Sequence, residues 1–423
     1  MPPQTPKRPA DTIPHAFESD MLNHPPLGIY LHIPFCESKC SYCNFASGVY
    51  PDYMVLPYLK ALKAEIKAWR TISTEMGADT RVLDSRFVDT VYLGGGTPSL
   101  LSTEALAGII AFLREEFSLS DNVEMTLEVN PGTVSVQKIG GQISAGVNRV
   151  SIGMQTFQDF RLRKLGRSHT VADSLETFRL YRESGIRNIS IDLILGLPGQ
   201  TLPEWEYNLE QVHELNPDHV SLYMLEIHEN TQFGKVYGPS SKMTPPAGES
   251  ASIDALPDEE LVEAFYFQAV ESLTQGGWKL YEISNFARPG YESRHNLKYW
   301  TNQPFLGFGC GAYSYLAGVR WGNERSVQRY IDLMHEQQHA IVSRHVLSEM
   351  DQQEEALFLG LRLSEGIRLQ SFQEKFGFDL RSQFRNSLDH LKEAGLIELN
   401  PETLRLTARG RLLSNEVFGE FMY

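Results

Sequence analysis

The stretch GIYLHIPFCESKCSYCNF, residues 28–45, joins a short apolar run to a loop that holds three cysteines within eight residues. The run GIYLHIPF is almost continuously apolar, which is typical of a buried β-strand. Cys36, Cys40 and Cys43 follow it directly, and the chain has only one further cysteine, Cys310. In parallel α/β proteins the chemistry lies at the carboxyl ends of the strands. The stretch therefore predicts a site at the end of the first strand.

Strand patterns and helical patterns alternate outward from this stretch as far as residue 234. Such alternation favours parallel strands joined by crossover helices. Six units are too few to close an eight-stranded barrel, so the sequence predicts an α/β fold with an open, partial (β/α)6 TIM-like barrel. We expect Ser102 or Thr103 to cap the helix after the second strand. The predicted strands are GIYLHIPF (28–35), VDTVYL (88–93), VEMTLEVNP (123–131), VNRVSIGMQ (147–155), NISIDLILGLPGQ (188–200) and HVSLYMLEI (219–227).

The composition of individual segments indicates how the chain is organised into domains and loops. The first residues and the segment before the helix DEELVEAFYFQAVESLTQGG are rich in proline and small polar residues, which is typical of a loose arm and an exposed loop. The stretch WKLYEISNFA (278–287) is expected to form one strand. The predicted parts are a flexible arm at 1–26, the partial barrel at 27–234, a loop or insertion at 235–257, a barrel extension at 258–343 and a C-terminal helical, winged-helix-like domain at 344–423.

Charge and hydropathy exclude several classes of protein. The net charge of −15 argues against a broad nucleic-acid surface, so no nucleic-acid partner is expected even for the winged-helix-like domain. No apolar run is long enough to span a membrane, which leaves room only for a peripheral membrane contact. Four cysteines in 423 residues do not form a disulfide framework and favour a reducing, cytoplasmic location. A monomer or a dimer is compatible with these features.

Polar residues end several of the predicted strands. Glycines 94–96 follow the second strand, where bare backbone can approach a ligand and offer N–H groups to a carboxylate. Glu128 ends the third strand, Gln155 ends the fourth and Asp192 lies in the fifth. Any one of them is explained by a turn or by a solvated side chain. Successive strands that bring polar groups to one edge of a sheet indicate a binding site.

The three clustered cysteines leave three kinds of site open. Closed zinc sites take four Cys or His ligands, often as two pairs, and Cys310 is the only other thiol that could complete one. Its glycine-rich surroundings are more typical of a small buried residue. A disulfide is a second alternative. Three thiolates on one loop also suit three irons of a [4Fe–4S] cluster, with the fourth iron left for an exchangeable ligand.

These motifs resemble a known family. CESKCSYC has the CxxxCxxC spacing of the radical S-adenosylmethionine (SAM) family, and GGGTPS resembles its methionine-binding strand. The segments YLHIPFC, EVNPGTV, RVSIGMQTF, LGRSH and IDLILGLPGQT are similar to the oxygen-independent coproporphyrinogen oxidase group, which includes a branch of haem chaperones. The resemblance runs from about residue 28 to the C-terminus.

The resemblance implies roles for individual residues. Cys36, Cys40 and Cys43 would hold a [4Fe–4S] cluster whose open iron is chelated by SAM, and reduction of the cluster would cleave SAM to a 5′-deoxyadenosyl radical. Asp192 would accept hydrogen bonds from the ribose, and Arg167 would pair with the SAM carboxylate. The SAM-binding positions implied by the family are Tyr30, Tyr42, Gly95, Gly96, Thr97, Glu128, Gln155, Arg167 and Asp192.

Two features separate the branches of this group. The oxidases carry a further cysteine two residues after the third one, and here that position is Phe45; Asn44 stands where the chaperone branch more often has Asp. RHNLKYW contains the HNxxYW pattern linked to haem binding in the chaperone branch. Its imidazole can ligate iron, and its aromatic rings can lie against a porphyrin. The residues of this motif are His295, Asn296, Tyr299 and Trp300.

Three functions therefore remain open at the level of sequence. The favoured hypothesis is a haem chaperone that binds a [4Fe–4S] cluster, SAM and haem and passes haem to apo-haemoproteins. The alternative is an oxidase that decarboxylates coproporphyrinogen III during porphyrin biosynthesis by radical SAM chemistry. The third is a scaffold in which the cluster serves structure only. That hypothesis leaves Glu128, Gln155, Arg167 and Asp192 without a purpose.

Overall fold

Six parallel strands, each followed by a helix, form the centre of the main sheet in this computed structural model, which describes residues 25–83, 87–239 and 254–422. The strands are adjacent in chain order, and every neighbouring pair is parallel, as the alternation of the sequence predicts. Their bounds are β1 Leu27–Ile33, β2 Val88–Gly95, β3 Leu119–Val129, β4 Arg149–Gln155, β5 Asn188–Leu195 and β6 His219–Met224.

The helices between these strands cover the sheet through apolar faces. Ser102 caps the helix after β2, because its hydroxyl accepts a hydrogen bond from the Ala105 backbone N–H (3.2 Å), which confirms the predicted cap. The helices are α1 Val55–Lys67, α2 Trp69–Glu75, α3 Thr103–Glu116, α4 Val136–Ala145, α5 Asp159–Lys164, α6 Val171–Glu183, α7 Leu202–Leu215 and α8 Gln232–Tyr237.

The sheet continues beyond both β1 and β6. The predicted single strand at 278–287 is wrong: it is an antiparallel pair, because the chain reverses at Ser284, whose N–H donates to the Glu282 carboxylate (2.9 Å). On the other side a parallel strand pairs with β1 and leads into antiparallel strands. The added elements are β7 Lys279–Glu282, β8 Asn285–Ala287, β9 Phe305–Phe308, β10 Tyr313–Leu316, β11 Val319–Asn323, β12 Ile341–Val346, α9 Glu259–Gln275, α10 Arg294–Trp300 and α11 Val327–Gln337.

Within the described residues the main sheet has twelve strands in the order β12-β11-β10-β9-β1-β2-β3-β4-β5-β6-β8-β7. Strands β12 and β7 stand at its two edges, so the barrel is open, as predicted. Residues 1–24 of the predicted arm and residues 240–253 of the predicted loop lie outside the described residues. No helix in the described ranges has the length and apolar character needed to cross a membrane.

The C-terminal part is a helical domain with a three-stranded antiparallel sheet in the order β13-β15-β14, which agrees with the winged-helix-like prediction. Its buried side chains form a core of their own, including Leu357, Phe372, Leu388 and Leu404. The elements are α12 Glu349–Arg362, β13 Ile367–Arg368, α13 Leu369–Phe376, α14 Leu380–Gln383, α15 Arg385–Glu393, β14 Ile397–Leu399, β15 Thr403–Leu406, α16 Ala408–Leu412 and α17 Ser414–Gly419.

Candidate functional site

A cavity of about 760 Å³ lies at the carboxyl ends of the parallel strands. Each of the first five strands sends a predicted site residue into its wall, because the carboxyl ends of parallel strands share one edge of a sheet. These residues are Tyr30, Gly95, Glu128, Gln155 and Asp192. The volume is in the range of cavities that hold small molecules and cofactors. The structure thus brings together residues that are separated by up to 162 positions in the sequence, from Tyr30 to Asp192.

The cysteine loop forms one side of this cavity. Cys36, Cys40 and Cys43 all line it, and their thiols are free and partly exposed. The Arg167 guanidinium donates to the sulfur of Cys40 (3.4 Å), and the Lys39 ammonium lies 3.5 Å from the sulfur of Cys43. Burial raises the pKa of the Cys36 thiol. Two cations beside the sulfurs suit thiolates that bind iron, since a thiolate is the form that ligates metals.

Lys39 also fixes the shape of the loop. Its ammonium donates to the carbonyl oxygens of Phe45 (3.0 Å) and Ser47 (2.8 Å), so one side chain ties the start of the loop to its end. No sequence motif indicates this role of Lys39. The lysine makes these bonds because the loop turns back and brings the two carbonyl groups beside its ammonium group.

The structure does not bring Cys310 to the three clustered cysteines as the fourth ligand of a zinc site. Cys310 is fully buried and is not part of the cavity wall. Its sulfur lies 3.7 Å from the hydroxyl of Tyr58, and burial raises its pKa to about 12. Cys310 is therefore a neutral core thiol, as its glycine-rich surroundings suggest.

The glycine run after β2 allows a close backbone contact beside the cysteines. A Cβ atom on Gly96 would lie 2.7–2.8 Å from backbone atoms of Ile33–Phe35, a distance that no side chain tolerates. Gly95 has φ 110°, which favours glycine. Its N–H donates to the Glu128 carboxylate (2.9 Å), and the Thr97 N–H donates to the carbonyl oxygen of Phe35 (2.8 Å), next to Cys36. The glycine run thus holds Glu128 at the cavity. The sequence predicts that N–H groups of this run bind the carboxylate of a ligand, but the Gly95 N–H binds the Glu128 carboxylate instead.

Two carboxyl groups from adjacent regions of the sheet face the cavity. Glu128 also accepts from the Tyr92 hydroxyl (2.9 Å), and Asp192 accepts from the Ser151 hydroxyl (2.9 Å). Burial raises the pKa of Glu128 to about 7 and raises that of Asp192 as well, with the Asp192 charge adding to the effect on Glu128. Carboxyl groups with raised pKa values are stabilised in their charged form by a cationic ligand. SAM carries a sulfonium and an ammonium group, so this pair fits it.

Arg167 supplies the opposite charge. One of its terminal nitrogens donates to the carbonyl oxygen of Gly153 (2.9 Å) and to the side chain of Asn130. Arg167 also lines the cavity, and the carboxylate of SAM is an acceptor of the kind that a guanidinium binds. Gln155, with φ 68°, lies at the end of β4 on the same wall.

Aromatic residues complete the inner wall. Tyr30 stacks on Tyr92 with ring centroids 6.1 Å apart, and Tyr42 lines the opposite, cysteine-bearing side. His32 also lines the cavity, although the sequence did not single it out. Its ring nitrogens lie 3.1 Å from the Tyr30 hydroxyl and 2.9 Å from the Ala46 carbonyl oxygen. The alternation of β1 places His32 on the same face as Tyr30, and that signal was available in the sequence.

The HNxxYW motif lies on α10, and only Tyr299 of its four residues reaches the cavity. His295 is 1% exposed. Its Nδ1 lies 2.8 Å from the Thr90 hydroxyl and its Nε2 lies 2.9 Å from the Tyr299 hydroxyl. Burial lowers its pKa to about 3. Both ring nitrogens are therefore engaged inside the protein, and iron ligation by His295 stays a prediction that would require these bonds to open.

The other two residues of the motif connect α10 to its surroundings. The backbone N–H of Asn296 donates to the Ser293 hydroxyl at the start of the helix (3.3 Å). The ring of Trp300 packs against the guanidinium of Arg362, 4.2 Å from its centroid, in the last turn of α12. The motif thus joins the cavity wall to the C-terminal domain.

Comparisons with known proteins show the family of the chain. The family model described as the radical SAM superfamily matches residues 30–212, and the HemN C-terminal domain matches residues 347–413. The chain is 37% identical over 394 residues to the heme chaperone HemW of Bacillus subtilis (strain 168), which covers 93% of this chain and 98% of that protein. The chain belongs to the HemW family.

A second HemW, from Lactococcus lactis, is 32% identical over 397 residues, or 94% of this chain and 97% of the relative. The fold of this HemW family member is similar to that of coproporphyrinogen III oxidase (HemN) from Escherichia coli, a radical SAM enzyme, with a TM-score of 0.78 and 25% identity. The match covers 94% of this chain and 90% of that structure. Membership of the radical SAM superfamily implies a [4Fe–4S] cluster and SAM.

Proposed function

We propose that the protein binds a [4Fe–4S] cluster and SAM at the strand-end cavity and carries haem to apo-haemoproteins. One observation carries the proposal: three free thiols and the predicted SAM-binding residues line the same cavity, with carboxyls and a guanidinium on its wall. The names of the HemW relatives, which are heme chaperones, support the haem part.

Different residues of the cavity wall would bind the cluster and the separate parts of SAM. Cys36, Cys40 and Cys43 would hold the cluster, and Glu128 and Asp192 would orient the cationic SAM. Arg167 would bind its carboxylate, because its guanidinium lines the same cavity. The cluster and SAM would supply one-electron chemistry when bound, and the protein would hold and shield them. Tyr30, Tyr42, Gln155 and the 95–97 turn would complete the SAM contacts as the remaining lining residues.

The chaperone is favoured over the oxidase by the residue at position 45. Phe45 lines the cavity and is 68% exposed, so it offers an aromatic surface where the oxidases carry a further cysteine. We place the protein in a reducing compartment such as the cytoplasm, because the free thiols of the site must stay reduced. Its recipients would be apo-haemoproteins that accept haem directly.

The second candidate is the oxygen-independent coproporphyrinogen III oxidase. It is favoured by the similarity to HemN over nearly the whole chain, since both proteins share the fold and the SAM superfamily. The two functions differ in what happens to the porphyrin, which is carried unchanged by a chaperone and decarboxylated by an oxidase.

One anaerobic experiment separates the two functions. The reconstituted full-length protein is incubated with haem in one sample, and with coproporphyrinogen III, SAM and a reductant in another. We expect stoichiometric haem binding, followed by transfer to an apo-haemoprotein, and no decarboxylated product. Turnover of coproporphyrinogen without haem binding would establish the oxidase instead.

A further inference from the structure

Two exposed aromatic rings belong to the solvent-exposed part of the cavity wall, here called the cavity mouth, and neither the SAM-binding set nor the HNxxYW motif includes them. Phe45 is 68% exposed and Tyr313 is 57% exposed, and both line the cavity. Exposed aromatic rings at a cavity mouth are suited to contact with a flat, apolar ligand. Haem has such a face, whereas SAM would lie deeper, beside Glu128 and Asp192.

An imidazole lies at the same mouth. Two histidines line the cavity among the described residues, and His32 has both nitrogens engaged inside the protein. The side chain of His228 is 40% exposed, and one nitrogen lies 3.2 Å from the carboxylate of Glu226. A histidine that ligates a metal commonly uses its second nitrogen in a bond of this kind, which orients the ring and strengthens the ligand.

Asn44 is hydrogen-bonded both to the segment that carries His228 and to a cation. Its side chain accepts a hydrogen bond from Asn230 (2.6 Å), two residues after His228, and its carbonyl oxygen accepts from the Arg325 guanidinium (2.6 Å). His228, Phe45 and Arg325 are thereby held around one short segment. Arg325 is exposed and can bind a carboxylate such as a haem propionate.

From this arrangement we infer that haem binds at the cavity mouth with His228 as an iron ligand, Phe45 and Tyr313 against the porphyrin and Arg325 on a propionate. The inference rests on the proposed haem function and replaces His295 as the ligand. His295 then acts as a positioning residue, because it holds the Tyr299 hydroxyl at the cavity wall. The porphyrin would lie beside SAM and remain open to a receiving protein.

The test is a haem titration of the anaerobically reconstituted full-length protein, read by Soret position, dissociation constant and resonance Raman of the iron–histidine bond. His228→Ala is compared with His295→Gln, which retains hydrogen-bonding groups, and with His345→Ala, which removes an exposed histidine on β12. We expect His228→Ala to raise the Kd by about tenfold or more and to lose the histidine signal, whereas His295→Gln retains the histidine signal and His345→Ala changes neither readout. Added imidazole should restore the signal in His228→Gly.

The outcomes separate the site from the function. Wild-type spectra and affinity in His228→Ala, or loss of the histidine signal in His295→Gln alone, would overturn the inference and leave the haem chaperone intact. Wild-type protein that binds no haem would overturn both. Iron content and thermal unfolding of each variant identify changes that come from misfolding, and the imidazole rescue tests the ligand in protein that folds.

Discussion

The strand-end cavity and the packing around α10 are both rich in polar side chains, yet they differ in what these side chains face. Around α10 the protein provides partners for two of them: His295 engages both ring nitrogens, and Lys298 pairs with Asp89 (2.7 Å) and donates to the Pro26 carbonyl oxygen (2.9 Å). In the cavity, the three cysteine thiols are free and partly exposed, and Glu128, Asp192 and Arg167 line an open volume.

This difference indicates what each region is for. Polar groups that are paired inside a protein stabilise one packing arrangement, whereas polar groups that line an open cavity are available to a ligand. Substitutions around α10 should therefore lower the stability of the fold. Substitutions in the cavity should change ligand binding and leave stability nearly unaltered.

The largest effect is expected at the cysteine loop. Cys40→Ser removes one of three proposed iron ligands, and we expect nearly complete loss of iron, of acid-labile sulfide and of the visible absorbance of the cluster after anaerobic reconstitution. Cys310→Ser is the matched control, because that thiol is buried against Tyr58 and does not line the cavity. Full iron content in the Cys40→Ser variant would contradict the assignment of the site.

The second prediction addresses the network around α10. The side chain of Lys298 is 3% exposed, so Lys298→Met leaves the buried carboxylate of Asp89 with only the more exposed Arg294 (3.1 Å). Breaking a buried ion pair should lower the free energy of unfolding by about 3 kcal/mol, measured by urea denaturation. Lys279→Met, at an exposed position of β7, should change it by less than about 0.5 kcal/mol.

The contrast between the two regions would fail if a substitution around α10 changed SAM binding and left the stability unaltered. Lys298→Met should still bind SAM with wild-type affinity once it is folded, because the ion pair does not line the cavity. A stable Lys298→Met variant that has lost SAM binding would show that the network serves the ligand directly.

The third prediction concerns Asp192. Asp192→Asn keeps the oxygen that accepts from Ser151 and Ser190 but removes the charge. We expect the Kd for SAM to rise by about tenfold, the scale of one hydrogen bond to a charged group, with little change in the urea midpoint. Isothermal titration calorimetry under anaerobic conditions measures the Kd, and Asp52→Asn at an exposed position is the control. An unchanged Kd would remove Asp192 from the SAM site.

The cavity could be predicted from the sequence because its residues follow from strand order. In a parallel sheet the carboxyl ends share one edge, so residues that end successive strands must meet, whatever their distance along the chain. Cys36, Glu128 and Asp192 meet for this reason. His32 could have been added, since it lies two positions after Tyr30 on the same face of β1.

The position of His295 could not be predicted in this way. It lies on a seven-residue helix, and its partner Thr90 is 205 positions away on β2, so nothing local indicates which side of the helix faces the core. The motif identified the residues but not their surroundings. The prediction of a single strand at 278–287 was wrong for a related reason. The chain reverses at Ser284, whose N–H donates a hydrogen bond to the Glu282 carboxylate, and an apolar run does not indicate such a bond.

The smallest predicted effect is a pH dependence of SAM binding through Glu128. Burial raises its pKa to about 7, Asp192 raises it further, and the Gly95 N–H, the Tyr92 hydroxyl and Arg149 oppose the rise. In the free protein the raised pKa makes ionisation of Glu128 unfavourable, so its contribution to stability falls as the pH increases from about 4.5 to about 7. A cationic ligand reverses this preference. Between about pH 6 and about pH 7 the SAM affinity should therefore increase by less than about tenfold and then level off. Glu128→Gln should flatten this pH profile, measured by calorimetry at each pH. A variant that retains the full slope would assign the titration to another group. Asp192 is the next candidate, because burial raises its pKa as well.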